Sequence, residues 1–287
     1  MNVQGRAMIA DNLCKTIRKP AFSSSPKENL KQPCETNGKS MFLQVRCRLP
    51  SGTAARGPRD NLWGITQLNM IICYHEVKRG DPDGCAFDLP GWQELFEELK
   101  EDNFQIIAVA IDENTTAVSE LATGTTYPVL MDQDHLLTEL YAISNVPSVV
   151  WIDENNMIAR PAAAEFGTDT FTEITGISRE THMQQVRDWV HEGSLPNDAS
   201  YSVPDLSEDE VQARLHFKTA AHLRRNGRKE EAERHFNAAS ELTPLDFTIV
   251  RASMPLRGGD PFGEEFFELY QKFQDAGSPY HGIPRAQ

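Results

Sequence analysis

Long apolar runs are missing from this sequence. Nothing in it approaches the roughly 18 consecutive apolar residues that a membrane-spanning helix requires, so no span is expected. An apolar leader is missing too: Asn12-Leu13-Cys14-Lys15 is already polar, which argues against a secretory signal. Cysteine is scarce, with residues at 14, 34, 47, 73 and 85 only. The count is odd and no two form a C-x-x-C pair, so neither a disulfide framework nor a zinc site is expected. Free thiols in a reducing, cytoplasmic setting are the plain reading. His75-Glu76 does not continue into H-E-x-x-H, and the eight histidines show no ligand spacing; no metal is expected. No Gly-x-Ser-x-Gly elbow occurs, and Gly258-Gly259-Asp260 lacks the order of a phosphate-binding loop, so no cofactor is expected either.

What is present is unevenly charged. Residues 1–60 carry 11 Lys and Arg against 4 Asp and Glu, whereas the rest of the 287 residues carry 17 against 38. The body is therefore strongly acidic, which disfavours a nucleic-acid partner because phosphate contact depends on clustered Lys and Arg. Residues 1–60 show no sustained period and contain Ser23-Ser24-Ser25-Pro26 and Gly57-Pro58, so they read as a basic extension without regular structure. A basic, serine-containing start also suits organelle import, although Asp11 and Glu28 weigh against that reading. Acidic pairs such as Asp153-Glu154 and Glu264-Glu265 read as solvated surface.

An α/β pattern follows over residues 61–193. The run from Ile65 to Tyr74 suits a buried strand. From Asp88 to Asp102, Trp92, Leu95, Phe96 and Leu99 fall on one helical face, with Pro90 in the first turn, where a missing N–H costs nothing. Further strands are expected at 104–112, 127–131, 148–153 and 157–160, with helices at 117–122, 135–143 and 179–191. Glu154-Asn155-Asn156 reads as a hairpin turn. Strands alternating with helices predict parallel βαβ units, and the last hairpin makes the sheet mixed. Residues 194–206 contain Pro196 and Pro204 and read as a linker.

This order of elements resembles the thioredoxin-like superfamily, in its TlpA/ResA-type and AhpC/TSA-related branches, over roughly 130 residues. The stretch Asn145-Val146-Pro147-Ser148-Val149-Val150-Trp151-Ile152-Asp153 is similar to the element in which a cis proline faces the active site. By that resemblance Pro147 and Val146 position the substrate. The superfamily's reactive motif, C-x-x-C-R-x-E-x-P, opens the first helix, where unpaired N–H groups and the dipole stabilise a thiolate. Here the stretch is Pro82-Asp83-Gly84-Cys85-Ala86-Phe87-Asp88-Leu89-Pro90. Cys85 and Pro90 match the second cysteine and the proline, and Asp88 stands where glutamate is usual. The first cysteine is replaced by Pro82. A peroxiredoxin pattern would need Thr or Ser at that same position.

Residues 207–287 read as helical. Ser207 and Glu210 form a capping-box pattern. Ala220, Gly227, Ala232, Phe236, Ala239 and Pro244 resemble one tetratricopeptide repeat, where about three make an independent solenoid. Phe266, Tyr270 and Phe273 stripe a last helix. The expected fold is α/β and thioredoxin-like with a mixed central sheet, followed by a small all-helical segment. Two functions stay open. One is a thiol–disulfide oxidoreductase or thiol antioxidant, with Cys85 catalytic, Asp88 and Pro90 supporting the motif, and a protein disulfide or thiol as partner. The other is a redox-inactive scaffold whose helical segment binds a peptide or protein.

Overall fold

The computed structural model describes residues 42–44, 69–75, 87–155 and 157–284. Its centre is a six-stranded mixed sheet in the order β1-β4-β3-β2-β5-β6. The strands are β1 (Phe42–Gln44), β2 (Asn69–His75), β3 (Phe104–Ala110), β4 (Val129–Met131), β5 (Ser148–Ile152) and β6 (Ile158–Ala163). The first four lie parallel; β5 runs antiparallel to β2, and β6 antiparallel to β5. The turn at Glu154-Asn155 thus lies between two antiparallel strands, as its sequence suggests. β1 lies inside the 1–60 stretch, where the sequence predicts no regular structure. At three residues it is too short to show a period, and its partner β4 supplies the pairing that defines it.

The sheet divides its side chains by parity, as pleating requires. Ile106, Ala108, Ala110, Val149 and Trp151 face one side. There they pack against α1 (Asp88–Leu99), α2 (Thr115–Leu121) and α5 (Arg179–Glu192). Ile107, Val109, Val150 and Ile152 face the other, against α3 (Leu136–Leu140) and the loop after it. The α1 stripe of Trp92, Leu95, Phe96 and Leu99 is buried. In α5, Met183 and Val186 are buried. Trp189 adds an unforeseen contact, stacking on Trp151 at 4.9 Å. A short α4 (Thr172–Thr175) precedes α5. Asp132 pins the start of α3, accepting the Leu136 and Leu137 amides, each at 2.8 Å, and the helix ends before its apolar pattern does because Ala142 turns left-handed, at φ +53°.

The linker is not loose. Residues 197–200 form a 3-10 turn, and Asp198 takes two hydrogen bonds from Arg160 on β6, at 2.9 and 2.7 Å. Beyond it lie α6 (Glu208–Arg225), α7 (Lys229–Leu242), α8 (Val250–Arg257) and α9 (Glu264–Asp275). The Ser207–Glu210 capping box is formed. Gly227 turns α6 into α7 with φ +78°, a left-handed value natural to glycine. Ala213, Phe217, Ala220, Ala232, Phe236 and Ala239 fill the seam between the two helices, joined by Ile249 and Ala252 of the α8 region. α8 carries no helical signal in its sequence, because Pro255 and Gly258 punctuate it. Its core contacts override the proline.

Backbone meets backbone at the start of α1. A Cβ on Gly91 would come within 1.9 Å of the Gly167 carbonyl, and one on Gly167 within 2.2 Å of the Asp88 carbonyl. Gly91→Ala is therefore expected to lower stability by about 2 kcal/mol or more, as overpacking does, read from the urea midpoint at unchanged slope.

Candidate functional site

In open α/β sheets, chemistry gathers at the carboxyl ends of the parallel strands. Here β2, β3 and β4 end at His75, Ala110 and Met131, and β5 begins at the same end, with Ser148 opposite Tyr74. Two sequence-predicted pieces meet this end of the sheet: the entry to α1 and the loop before β5. Cys85, with Pro82, falls in 76–86, outside the described residues.

The entry to α1 is built around Asp88. Its side chain is fully buried, and its Oδ1 accepts the Gly167 amide at 2.7 Å. The close glycine contact leaves no room for water to solvate the carboxylate. Burial pushes its pKa up to about 7, although the Gly167 and Thr168 amides draw it back. Pro90, also in the first turn, is exposed, as is Phe87 just before it; Phe87 meets Phe171 edge-on at 6.4 Å.

The loop before β5 carries Val146 and Pro147, joined by a cis peptide bond as the resemblance implies. Both residues are buried. Val146 belongs to the core cluster on the α3 side, with Ile143, Leu137 and Val150. The polar groups of this loop are taken up by the C-terminal helices. The Ile143 carbonyl accepts Arg214 Nη2 at 3.0 Å and Thr248 Oγ1 at 3.2 Å, and the Ser144 carbonyl accepts the Phe247 amide at 3.0 Å. Arg214, 3% exposed, also pairs with buried Asp246 at 2.9 Å. Lys218 of α6 reaches Glu139 of α3.

Sequence reasoning missed two polar groupings. Arg160, on apolar β6, lies under Trp151 with its guanidinium 5.4 Å from the ring and pairs with Glu165 at 2.8 Å. Buried His182 stands 3.4 Å from the same carboxylate. Burial alone would raise the Glu165 pKa, but His182 and Arg160 outweigh it and hold the group at about 2. An arginine between Ile158 and Ala163 is the one sequence signal, since such a charge needs a buried partner. The second grouping brings His216 of α6 to His235 of α7, Nδ1 to Nδ1 at 2.8 Å. The spacing argument that the histidines do not pair fails here, because antiparallel helices juxtapose residues 19 apart. Among the described residues no three His, Cys, Asp or Glu gather as a metal site, and no helix is long and apolar enough to cross a membrane.

The strand order, the antiparallel hairpin and the cis-proline loop together describe a thioredoxin-like α/β fold. No protein-family model matches the chain. A stretch of 78 residues is 31% identical to the thiol-disulfide oxidoreductase ResA of Oceanobacillus iheyensis, covering 26% of this chain and 41% of that protein. The chain thus spans about two fifths of the length of that curated relative. Among solved structures it resembles StoA from Bacillus subtilis, at 18% identity and TM-score 0.30, over 35% of this chain and 77% of that one. It also resembles a thioredoxin-like protein from Porphyromonas gingivalis, at 26% and 0.33, over 44% and 78%. A third likeness is to the peroxidoxin BcpB from Mycobacterium tuberculosis, at 12% and 0.33, over 44% and 79%.

The raised pKa of Asp88 fixes the sign of a stability measurement. The folded chain holds this proton to about pH 7 and the unfolded chain only to about 3.8. Stability from the protonated group is complete below that lower value and is lost as pH rises through about 7. Asp88→Asn keeps the acceptor oxygen and cannot ionise. It is expected to exceed the parent chain in stability at pH 8 by up to about 4 kcal/mol. The gain should vanish below pH 4 in paired urea titrations.

Proposed function

We propose that this chain is a thioredoxin-like thiol–disulfide oxidoreductase or thiol antioxidant acting through one reactive cysteine, Cys85, on a protein disulfide or thiol partner. The observation that carries the reading is Asp88: a buried carboxyl titrating near neutral pH, three residues after that cysteine and at the head of a long helix. A group of that pKa exchanges a proton with a thiol at working pH, and the helix N-terminus favours the thiolate. The thiolate attacks one sulfur of the partner disulfide, a mixed disulfide forms, and the other sulfur leaves as thiolate. Because residue 82 is proline, the resolving electron pair comes from an external thiol. That thiol attacks the mixed disulfide and releases Cys85 reduced. Val146 and Pro147 position the disulfide, and Pro90 supports the helix entry.

The second reading is a redox-inactive scaffold. It is favoured by Pro82 in place of the first cysteine and by the helical segment holding the loop at Ile143–Ser148. In that case α6 and α7, in a tetratricopeptide-like hairpin, present a peptide or protein surface. The thiol chemistry suits the cytoplasm, with organelle import through the basic 1–60 stretch as the alternative.

The two readings separate on the pH dependence of iodoacetamide labelling at Cys85, followed by peptide mass spectrometry on the reduced chain. The oxidoreductase requires a thiol pKa well below the free value of about 8.5. An unperturbed profile, or slow labelling at every pH, establishes the scaffold instead. If Asp88 exchanges the proton, Asp88→Asn shifts the labelling midpoint by about half a unit or more. Cys85→Ser abolishes mixed-disulfide capture.

A further inference from the structure

After α9 the chain reverses through Gly277 and Ser278, at φ +82° and +54°, and lays residues Tyr280–Ile283 along the end of the sheet that holds the cis-proline loop. Hydrogen bonds from Tyr280, His281 and Ile283 seat this strap, beside the pair of His281 with Glu210 at 3.5 Å. The Tyr280 hydroxyl lies 2.6 Å from Ser148 Oγ, which itself donates to the Asn145 carbonyl, making Tyr280 the donor. The His281 amide donates to Ser144 Oγ at 2.9 Å. The Ile283 amide donates to the Ala162 carbonyl on the edge strand β6 at 2.7 Å. Gly282 is pressed so close that a Cβ there would meet the Ala162 carbonyl at 2.3 Å. Ser144 and Ser148 bracket Val146 and Pro147. The strap therefore touches both flanks of the loop and adds a main-chain bond to a sheet edge, the way an extended peptide binds.

We infer that Tyr280–Ile283 occupies, within the chain, a docking surface for an extended peptide. A partner segment of the same chemistry, an aromatic hydroxyl two residues before a glycine and an apolar residue after it, binds by displacing the strap. That this surface serves the thiol site rests on the reading proposed above; the peptide binding itself does not pass through Cys85. A tethered segment acts at an effective concentration near the millimolar range, so the strap masks the surface from a free peptide until its own contacts are weakened.

The test uses the full chain and a fluorescent peptide of residues 277–284, read by anisotropy. Gly282→Val, which cannot sit against Ala162, is expected to bind the peptide roughly tenfold more tightly than the parent chain or better. Tyr280→Phe removes one hydroxyl contact without adding volume and should bind it about fivefold more tightly. Equal binding by both variants and the parent overturns the inference, as does equal binding of a scrambled peptide. Carrying Cys85→Ser in each background should leave these affinities unchanged. An unperturbed Cys85 labelling profile beside strap-dependent peptide binding sinks the oxidoreductase reading and leaves this one standing.

Discussion

The loop from Ile143 to Ser148 sets the terms for the rest of the molecule. As far as Pro147 its peptide groups lie outside the sheet ladder, and buried carbonyls must find donors. Local structure supplies few of them, because Asn145 and Ser148 satisfy each other across the turn. The donors come instead from Arg214, Phe247 and Thr248, about 70 to 105 residues further along the chain. Arg214 brings a charge into that interior, and Asp246 answers it. Removing one member of such a pair strands the other in a medium that solvates it poorly, so the arrangement holds as a unit. The helical segment is in this sense a structural part of the sheet domain.

The seat of α1 is the second constraint. Two glycines allow main chains to touch, and the tightness that results buries Asp88. Asp132 shows that the raised pKa does not by itself mark a site. It too is buried, accepts helix amides and is pushed up to about 7. Its work is to start α3, and no cysteine stands beside it in sequence. What distinguishes Asp88 is place: the first turn of a twelve-residue helix entered from the carboxyl end of β2, three residues from a cysteine. Electrostatics alone nominates both carboxyls, and the neighbouring cysteine separates them.

Much of this was legible in the sequence, for definite physical reasons. The 3.6-residue stripe of α1 and the short apolar strands declare themselves because each buries one face or both. Val146-Pro147 and the capping box at Ser207 are local patterns with local causes. What stayed hidden depends on partners remote in sequence. β1 exists through its pairing with β4, and α8 persists through its place in the α6–α7 seam despite Pro255. Arg160 is readable as a buried charge only once Glu165 and Asp198 are seen beside it. His216 and His235 meet only because two helices run antiparallel. Gly91 and Gly167, far apart in the chain, gave no sign that each is needed by the other.

The covering of β6 bears on what the C-terminal strap is for. Edge strands invite unwanted pairing, and proteins commonly blunt them. Pro161 within β6, the Arg160–Asp198 bonds to the linker turn, and the Ile283 amide on Ala162 all serve that end. Edge protection accounts for Ile283 and for the tight fit of Gly282. It does not account for Tyr280 and His281, whose bonds go past the edge to Ser148 and Ser144, on the two sides of Pro147. A strap that merely capped a strand would need no contact with that loop. Its reach to both flanks of the loop joins the fate of the edge to that of the site, so a change that frees one exposes the other.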